Sequence, residues 1–189
     1  MTGWRALRYV VVDVEGNGQQ PPDLVELGTV TIIDGIVGEP GAWLFRPGTP
    51  ITAMARRVHG ISNQDVAPAP AFADLADGVR ARLDGSVLVA HNAGVDLGVL
   101  KRKLPGFAPA DVLDTLKLSR RLLPGQPSYR LGSLVAALNL GSKIPPGLRP
   151  HRAAYDVLVT ARLFVHLASR IDDEAASFEV LRGDDAALF

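Results

Sequence analysis

No cysteine occurs among the 189 residues. A disulfide framework, a thiolate metal site and cysteine nucleophile chemistry are thereby excluded, and any metal must be held by oxygen or imidazole. Long apolar runs are missing too. The opening segment MTGWRALRYVVVDVEG is broken by Arg5, Arg8, Asp13 and Glu15, so it holds neither a signal core nor a membrane span. A soluble cytoplasmic protein without a membrane partner is the expectation. Net charge is also absent, but the zero hides a segregation. Residues 101–152 carry ten Lys or Arg against only Asp111 and Asp114, a local charge of +8 that the rest of the chain offsets. Such a segment is either a phosphate-contacting surface or a solvated helical face.

What is present, 47% apolar and 21% charged residues, suffices for one well-buried core and a single domain. Residues 9–14 form an apolar, β-branched run that ends in acid and glycine, the pattern of a buried strand with an exposed end. A second strand is expected within 24–37 and a third at 41–46, with Asp34-Gly35 marking a hairpin turn and the sheet beginning antiparallel. Helical spacing at 72–83 precedes a strand at 86–90. Helices follow at 95–104, 116–122 and 131–138, with a short fifth strand near 112–114 and a last long helix at 153–171. Hairpins followed by alternating helices and strands give an α/β architecture, a mixed five-stranded sheet flanked by helices. Residues 172–189 hold six acids against Arg182 alone and read as an acidic, flexible tail after a domain spanning 1–171.

Three short segments concentrate groups able to do chemistry. Asp13 and Glu15 are two apart on a strand, so both side chains share a face and can approach one ion; the bland alternative is an acidic strand end turning into solvent. In His91-Asn92-Ala93-Gly94-Val95-Asp96 the aspartate falls at a helix start, where the helix dipole favours a negative charge whether or not it has another role. His91 itself reads as a structural residue at a strand end. His151 and Asp156 are five apart, roughly 140° around a regular helix, so they share no helical face. Pro150 disfavours a helix through Arg149. His151 therefore belongs to the loop entering the helix and Asp156 to its first turns, where a buried aspartate needs a partner.

These motifs, in order, resemble those of the DEDDh branch of the DnaQ-like exonucleases, typified by the epsilon proofreading subunit of bacterial DNA polymerase III. The segments are VVDVEGNG with Asp13 and Glu15, HNAGVD with Asp96, and HRAAYD with His151 and Asp156; between the first two lies VHGIS, similar to a segment of proofreading members. The resemblance covers residues 8 to 168. Two departures are Gly16-Asn17, where the family usually has Thr-Thr, and Val95, where phenylalanine is frequent.

The resemblance implies an RNase H-like fold and stepwise release of nucleoside monophosphates from 3′ ends, single-stranded or frayed DNA above all, in proofreading or repair. Phosphodiester hydrolysis needs a nucleophile at neutral pH and charge stabilisation on the leaving oxygen, which two divalent cations supply, and hard oxygen ligands favour Mg²⁺ or Mn²⁺. By resemblance Asp13 bridges the two ions, Glu15 and Asp156 complete one site, Asp96 supports the other, and His151 takes the proton of the attacking water. Gly16, Asn17, His59, Gly60, Ile61 and Asn92 are expected to bind the terminal nucleotide, with residues 59–61 as a wedge between the last bases. Arg120, Arg121, Arg130, Lys143, Arg149 and Arg152 are candidates for phosphate contacts. Two readings stand beside this one: an exoribonuclease or oligoribonucleotide-degrading enzyme of the same fold, and a catalytically silent nucleic-acid-binding module, whose mark would be a lost carboxylate. The terminal Asp185-Ala186-Ala187-Leu188-Phe189 resembles peptides that dock replication proteins, polymerase partners among them, into the sliding clamp.

Overall fold

The computed structural model describes residues 2–171 and 177–183. Its centre is β1 (Tyr9–Gly16), antiparallel to β2 (Leu24–Ile33) on one side and parallel to β5 (Val87–Ala90) on the other. The sheet order is β3-β2-β1-β5-β6, with β6 at Asp111–Asp114. Six strands replace the expected five because the outer edge pairs with β2 in two pieces. The two-residue β3 (Ile36–Val37) faces Ile32 and Ile33, and β4 (Gly41–Leu44) faces Glu26 to Thr29. Asp34 and Gly35 both have positive φ, 54° and 76°, the backbone of a tight hairpin turn, and they join β2 to β3.

The apolar run of β1 is unbroken rather than alternating because helices cover both faces of the sheet. Tyr9 and Val11 face a core completed by α7 (Ala153–Ala168), including Val157, Ala161 and Phe164. Val10 and Val12 face a second core completed by Val79 and Leu83 of α3 (Phe72–Leu83) and by Val99 and Leu100 of α4 (Gly94–Lys103). Between the hairpins and α3 lie α1 (Ala53–His59) and α2 (Asn63–Val66). After β6 come α5 (Thr115–Leu122) and α6 (Leu131–Ala137). No helix among the described residues is long and apolar enough to cross a membrane.

Residues 177–183 depart from the expectation of a flexible tail. α8 (Ser177–Arg182) buries Ser177, Val180 and Leu181, and Leu181 joins the α7-side core. Polar ties hold it: Trp4 N–H donates to Ser177 Oγ at 2.8 Å, Arg182 pairs with Asp111 at 2.8 Å, and Arg121 donates to the Val180 carbonyl. Six acids set the average character of the segment, but Phe178, Val180 and Leu181 lie close enough together to seat one helical turn. The clamp-docking reading concerns residues 185–189, which lie outside the described residues.

Candidate active site

Parity along β1 decides where the acids go. Asp13 and Glu15 continue the face of Tyr9 and Val11, the face covered by α7, and α7 places Asp156 in its first turn. Carboxylate oxygens of Asp13, Glu15 and Asp156 lie within 4.8 Å of one another. Asp96 arrives from the opposite layer. It is buried at the start of α4, and its Oδ1 accepts the Val14 N–H at 3.0 Å, between the two β1 acids, so it borders the trio without joining it. His151 stands exposed on the loop before α7 with φ +60°, as the proline argument requires.

β2 makes this convergence possible. Gly28 pairs with Asp13 and Glu26 with Glu15, so both occupy the same sheet face as the acids. A Cβ at Gly28 would lie 2.5 Å from the Ala153 carbonyl oxygen; lacking one, Gly28 lets the first turn of α7 settle beside Asp13. Glu26, 3% exposed, then holds that turn. Its carboxylate accepts Arg152 Nη2 at 2.6 Å, Arg152 Nε at 3.0 Å and the Ala153 N–H at 2.9 Å. Neither residue was singled out in the sequence. The available signal was an acid inside the apolar run LVELGTV, which once buried must have a partner.

Crowding raises the affinity of these acids for protons. Burial, then the neighbouring Asp96, Asp156 and Glu15, push Asp13 well above the carboxylate range. Burial, then Asp156 and Glu26, raise Glu15 to about 8. Burial raises Asp156 to about 6 against the pull of His151, and raises Asp96 to about 7 against its bond from Val14. Asp13 Oδ2 is buried without a hydrogen-bond donor. An orphaned carboxylate oxygen among mutually repelling acids suits a cation, and an all-oxygen donor set suits a hard divalent one. The trio could therefore hold a metal ion.

The residues expected around a terminal nucleotide divide into two groups. Asn17 is fully buried and uses its side chain within the fold: Nδ2 donates to Thr49 Oγ1 at 2.8 Å, and Oδ1 accepts the N–H groups of Gln19 and Asp23. His59 and Ile61 are each 2% exposed; the His59 Nδ1 accepts the Ile61 N–H, and Ile61 packs with Val25, Ile51 and Val66. The side chain of Ile61 is thus turned away from a wedge position, because the turn needs it as its own small core. Gly16 ends β1 at a register shift, Gly60 caps α1 at φ +76°, and Asn92 is exposed at φ +69°. Val95, 54% exposed, is the open apolar side chain beside Asp96. His91 is structural, with Nδ1 bonded to the Thr115 hydroxyl and Nε2 to the Tyr129 carbonyl. Asp114, also not singled out, fixes the HNA turn by accepting the Asn92 and Ala93 N–H groups while capping α5 through Leu116.

Residues 10–164 match the exonuclease family of RNase T. The chain is 36% identical over 171 residues to the 3′-5′ exonuclease DinG of Bacillus subtilis, covering 87% of this chain and 18% of that protein. It is 36% identical over 157 residues to exodeoxyribonuclease 10 of Escherichia coli, covering 83% of this chain and 67% of the relative. A solved structure of exonuclease X in complex with 5′-overhanging duplex DNA superposes with a TM-score of 0.76 at 34% identity, over 93% of this chain and 99% of that one. The chain spans less than a fifth of the Bacillus relative and about two thirds of the Escherichia one. By sequence, fold and the order of its acidic motifs, the chain belongs to the DnaQ-like family of 3′-5′ exonucleases.

Proposed function

We propose that this protein hydrolyses DNA from its 3′ end, releasing nucleoside 5′-monophosphates, in proofreading or repair in the cytoplasm. The observation that carries the reading is the convergence of Asp13, Glu15 and Asp156 within 4.8 Å beneath the loop that bears His151. Asp13, Glu15 and Asp156 would hold one divalent cation, Mg²⁺ or Mn²⁺, and Asp13 with Asp96 would serve a second. Such ions, when bound, polarise the phosphodiester and lower the pKa of water.

The protein's own part is positional and acid–base. Asp13 and Glu15 are set by β1, Asp156 by α7, and Asp96 by its bond from Val14, so the anionic floor needs little rearrangement when substrate arrives. His151 accepts the proton of the attacking water. The water oxygen bonds to phosphorus, the bond from phosphorus to the upstream 3′ oxygen breaks, and that oxygen leaves, taking up a proton from solvent, as the new 3′ hydroxyl. Backbone groups of Gly16 and Gly60, the side chain of Asn92, and the open face of Val95 are the elements offered to the terminal nucleotide; Asn17, His59 and Ile61 contribute by shaping the turns.

Similarity to exodeoxyribonuclease 10 supports DNA over RNA as substrate. The DNA polymerase III epsilon-like protein of Rhodobacter capsulatus, 37% identical over 169 residues, supports work beside a polymerase. Purified protein with Mn²⁺ should shorten end-labelled single-stranded DNA and the mismatched 3′ end of a duplex faster than short RNA. Faster cleavage of RNA would move the protein to the exoribonucleases, and no cleavage of any substrate would leave a silent binding module.

A further inference from the structure

The cations proposed for the acidic floor would serve the scissile phosphate, so the phosphates upstream of it must be met by other positive charge. Of the ten cations of residues 101–152, five are engaged within the fold, and Lys101, Lys117 and Lys143, though without such ties among the described residues, line neither the catalytic cleft nor the groove beside it. Lys103 pairs with Asp23, Arg102 donates to the Pro22 carbonyl, Arg121 to Val180, Arg149 to His59, and Arg152 to Glu26. Arg120 and Arg130 differ. Both are exposed, and neither guanidinium has a hydrogen-bond or ion-pair partner among the described residues. Both line one groove of about 450 Å³ beside the catalytic cleft. The two cavities share His91, Arg130 and Leu131, so the groove opens directly from the cleft. Arg130 stands at the junction and Arg120 in the groove alone.

The groove differs from the cleft in two further respects. No carboxylate lines it, whereas Asp13, Glu15 and Asp156 line the cleft. Its wall is also built in advance: His91 is bonded through both ring nitrogens, and Tyr129 donates its hydroxyl to the Leu123 carbonyl at 2.9 Å. A rigid wall with two unpaired guanidinium groups suits successive phosphates, since the planar fork of arginine binds phosphate oxygens in pairs.

Resting on the exonuclease reading above, we infer that the DNA strand upstream of the 3′-terminal nucleotide runs from the catalytic cleft along the groove between α5 and α6, its phosphates meeting Arg130 and then Arg120. Asn92, exposed on the same groove, faces the strand at the point where it leaves the cleft. The contacts are to the backbone, so binding along the groove is independent of base sequence.

The test is binding of a fluorescently labelled single-stranded DNA followed by anisotropy across a salt series, in EDTA so that hydrolysis does not enter. The proteins are wild type, Arg120→Ala, Arg130→Ala and, as a control cation at the far end of α7, Arg170→Ala. Each groove substitution should weaken binding and make the slope of log affinity against log salt shallower by about 0.7, the share of one single-strand phosphate contact. Arg170→Ala should leave that slope unchanged. In cleavage assays with Mn²⁺ the groove variants should lose more on a long strand than on a dinucleotide, whose only phosphate is the scissile one. Wild-type slopes in both groove variants would overturn the strand path whether or not the enzyme cleaves. Tighter binding of an RNA strand of the same sequence would overturn its assignment to DNA. Loss of cleavage with the slopes behaving as expected would count against the catalytic reading alone.

Discussion

Glu26 and Arg152 join the second strand to the residue that follows the candidate base. Two guanidinium nitrogens approach the Glu26 carboxylate at 2.6 and 3.0 Å, and the same carboxylate accepts the first N–H of α7 at 2.9 Å. The pair touches no substrate position, yet it fixes the helix start from which both His151 and Asp156 depart. Glu26→Ala leaves the part-exposed Arg152 charge and the buried Ala153 N–H without their partner, and losing charge-assisted hydrogen bonds of this kind destabilises by about 2 kcal/mol. We expect lower denaturant stability together with a fall in kcat, and Glu26→Gln, which can still accept from Ala153, should recover part of both. Equal damage from Gln and Ala would mean that the Ala153 bond contributes nothing.

Gly28 carries a steric version of the same dependence. Gly28→Ala drives a methyl to 2.5 Å from a backbone oxygen of α7, which must then move. Overpacking of this kind destabilises by roughly 1 to 3 kcal/mol. Activity should fall further than stability alone explains, because the displaced turn carries Asp156. Retention of wild-type kcat in folded Gly28→Ala would show that the cluster tolerates the shift.

Asp13→Asn or Asp156→Ala should reduce turnover below about a hundredth of wild type, since two cations jointly supply nucleophile activation and charge stabilisation in such chemistry. Both variants should nevertheless remain folded. In EDTA at alkaline pH, where the cluster is ionised, Asp13→Asn should melt higher than wild type because one of the repelling charges is gone.

Stability should depend on pH in the direction opposite to that of a salt-bridged acid. The folded-state pKa of Glu15 is raised from 4.5 to about 8, that of Asp156 to about 6 and that of Asp96 to about 7. Between the ordinary and raised values the folded state holds more protons than the unfolded one, so stability falls as pH rises through that window. Metal-free protein should accordingly lose thermal stability from about pH 4.5 to about pH 8, and Mn²⁺, binding only the folded state, should restore more of it near pH 8 than near pH 5. A melting temperature in EDTA that rises over this range would contradict the crowded-carboxylate picture.

His151→Ala should slow hydrolysis by roughly 10² to 10⁴, the usual share of a general base. Calorimetric Mn²⁺ binding should be retained, because the three clustered ligands come from elsewhere. Loss of metal binding in this variant would make His151 a ligand instead.

Much of the fold was legible because it rests on local pattern. The run Tyr9 to Val12 reads as a buried strand, Asp34-Gly35 as a tight turn, Phe72–Leu83 as a helix with the bounds it has, and Pro150 as a reason for His151 to stay outside α7. Two-residue periodicity put Asp13 and Glu15 on one face, and the order of motifs pointed to Asp96 and Asp156 as their companions. The split outer edge, α2 and α8 were not legible, since short elements depend on what they pack against rather than on their own spacing.

Side-chain direction at turns was decided only by tertiary structure. Nothing local says that Ile61 points into a cluster with Val25 and Ile51, or that Asn17 ties its own loop to Thr49. Nor does charge count reveal which arginines are free: Arg121 and Arg152 are engaged by carbonyls and a carboxylate far away in the chain, while Arg120 and Arg130, identical in type, are left to solvent. The sequence by itself singled out the candidate residues, because strand and helix periods and motif order are local properties of the chain. Their convergence, with Glu26 and Gly28 seating α7 against Asp13, was decided by packing between segments more than a hundred residues apart, which no local period encodes.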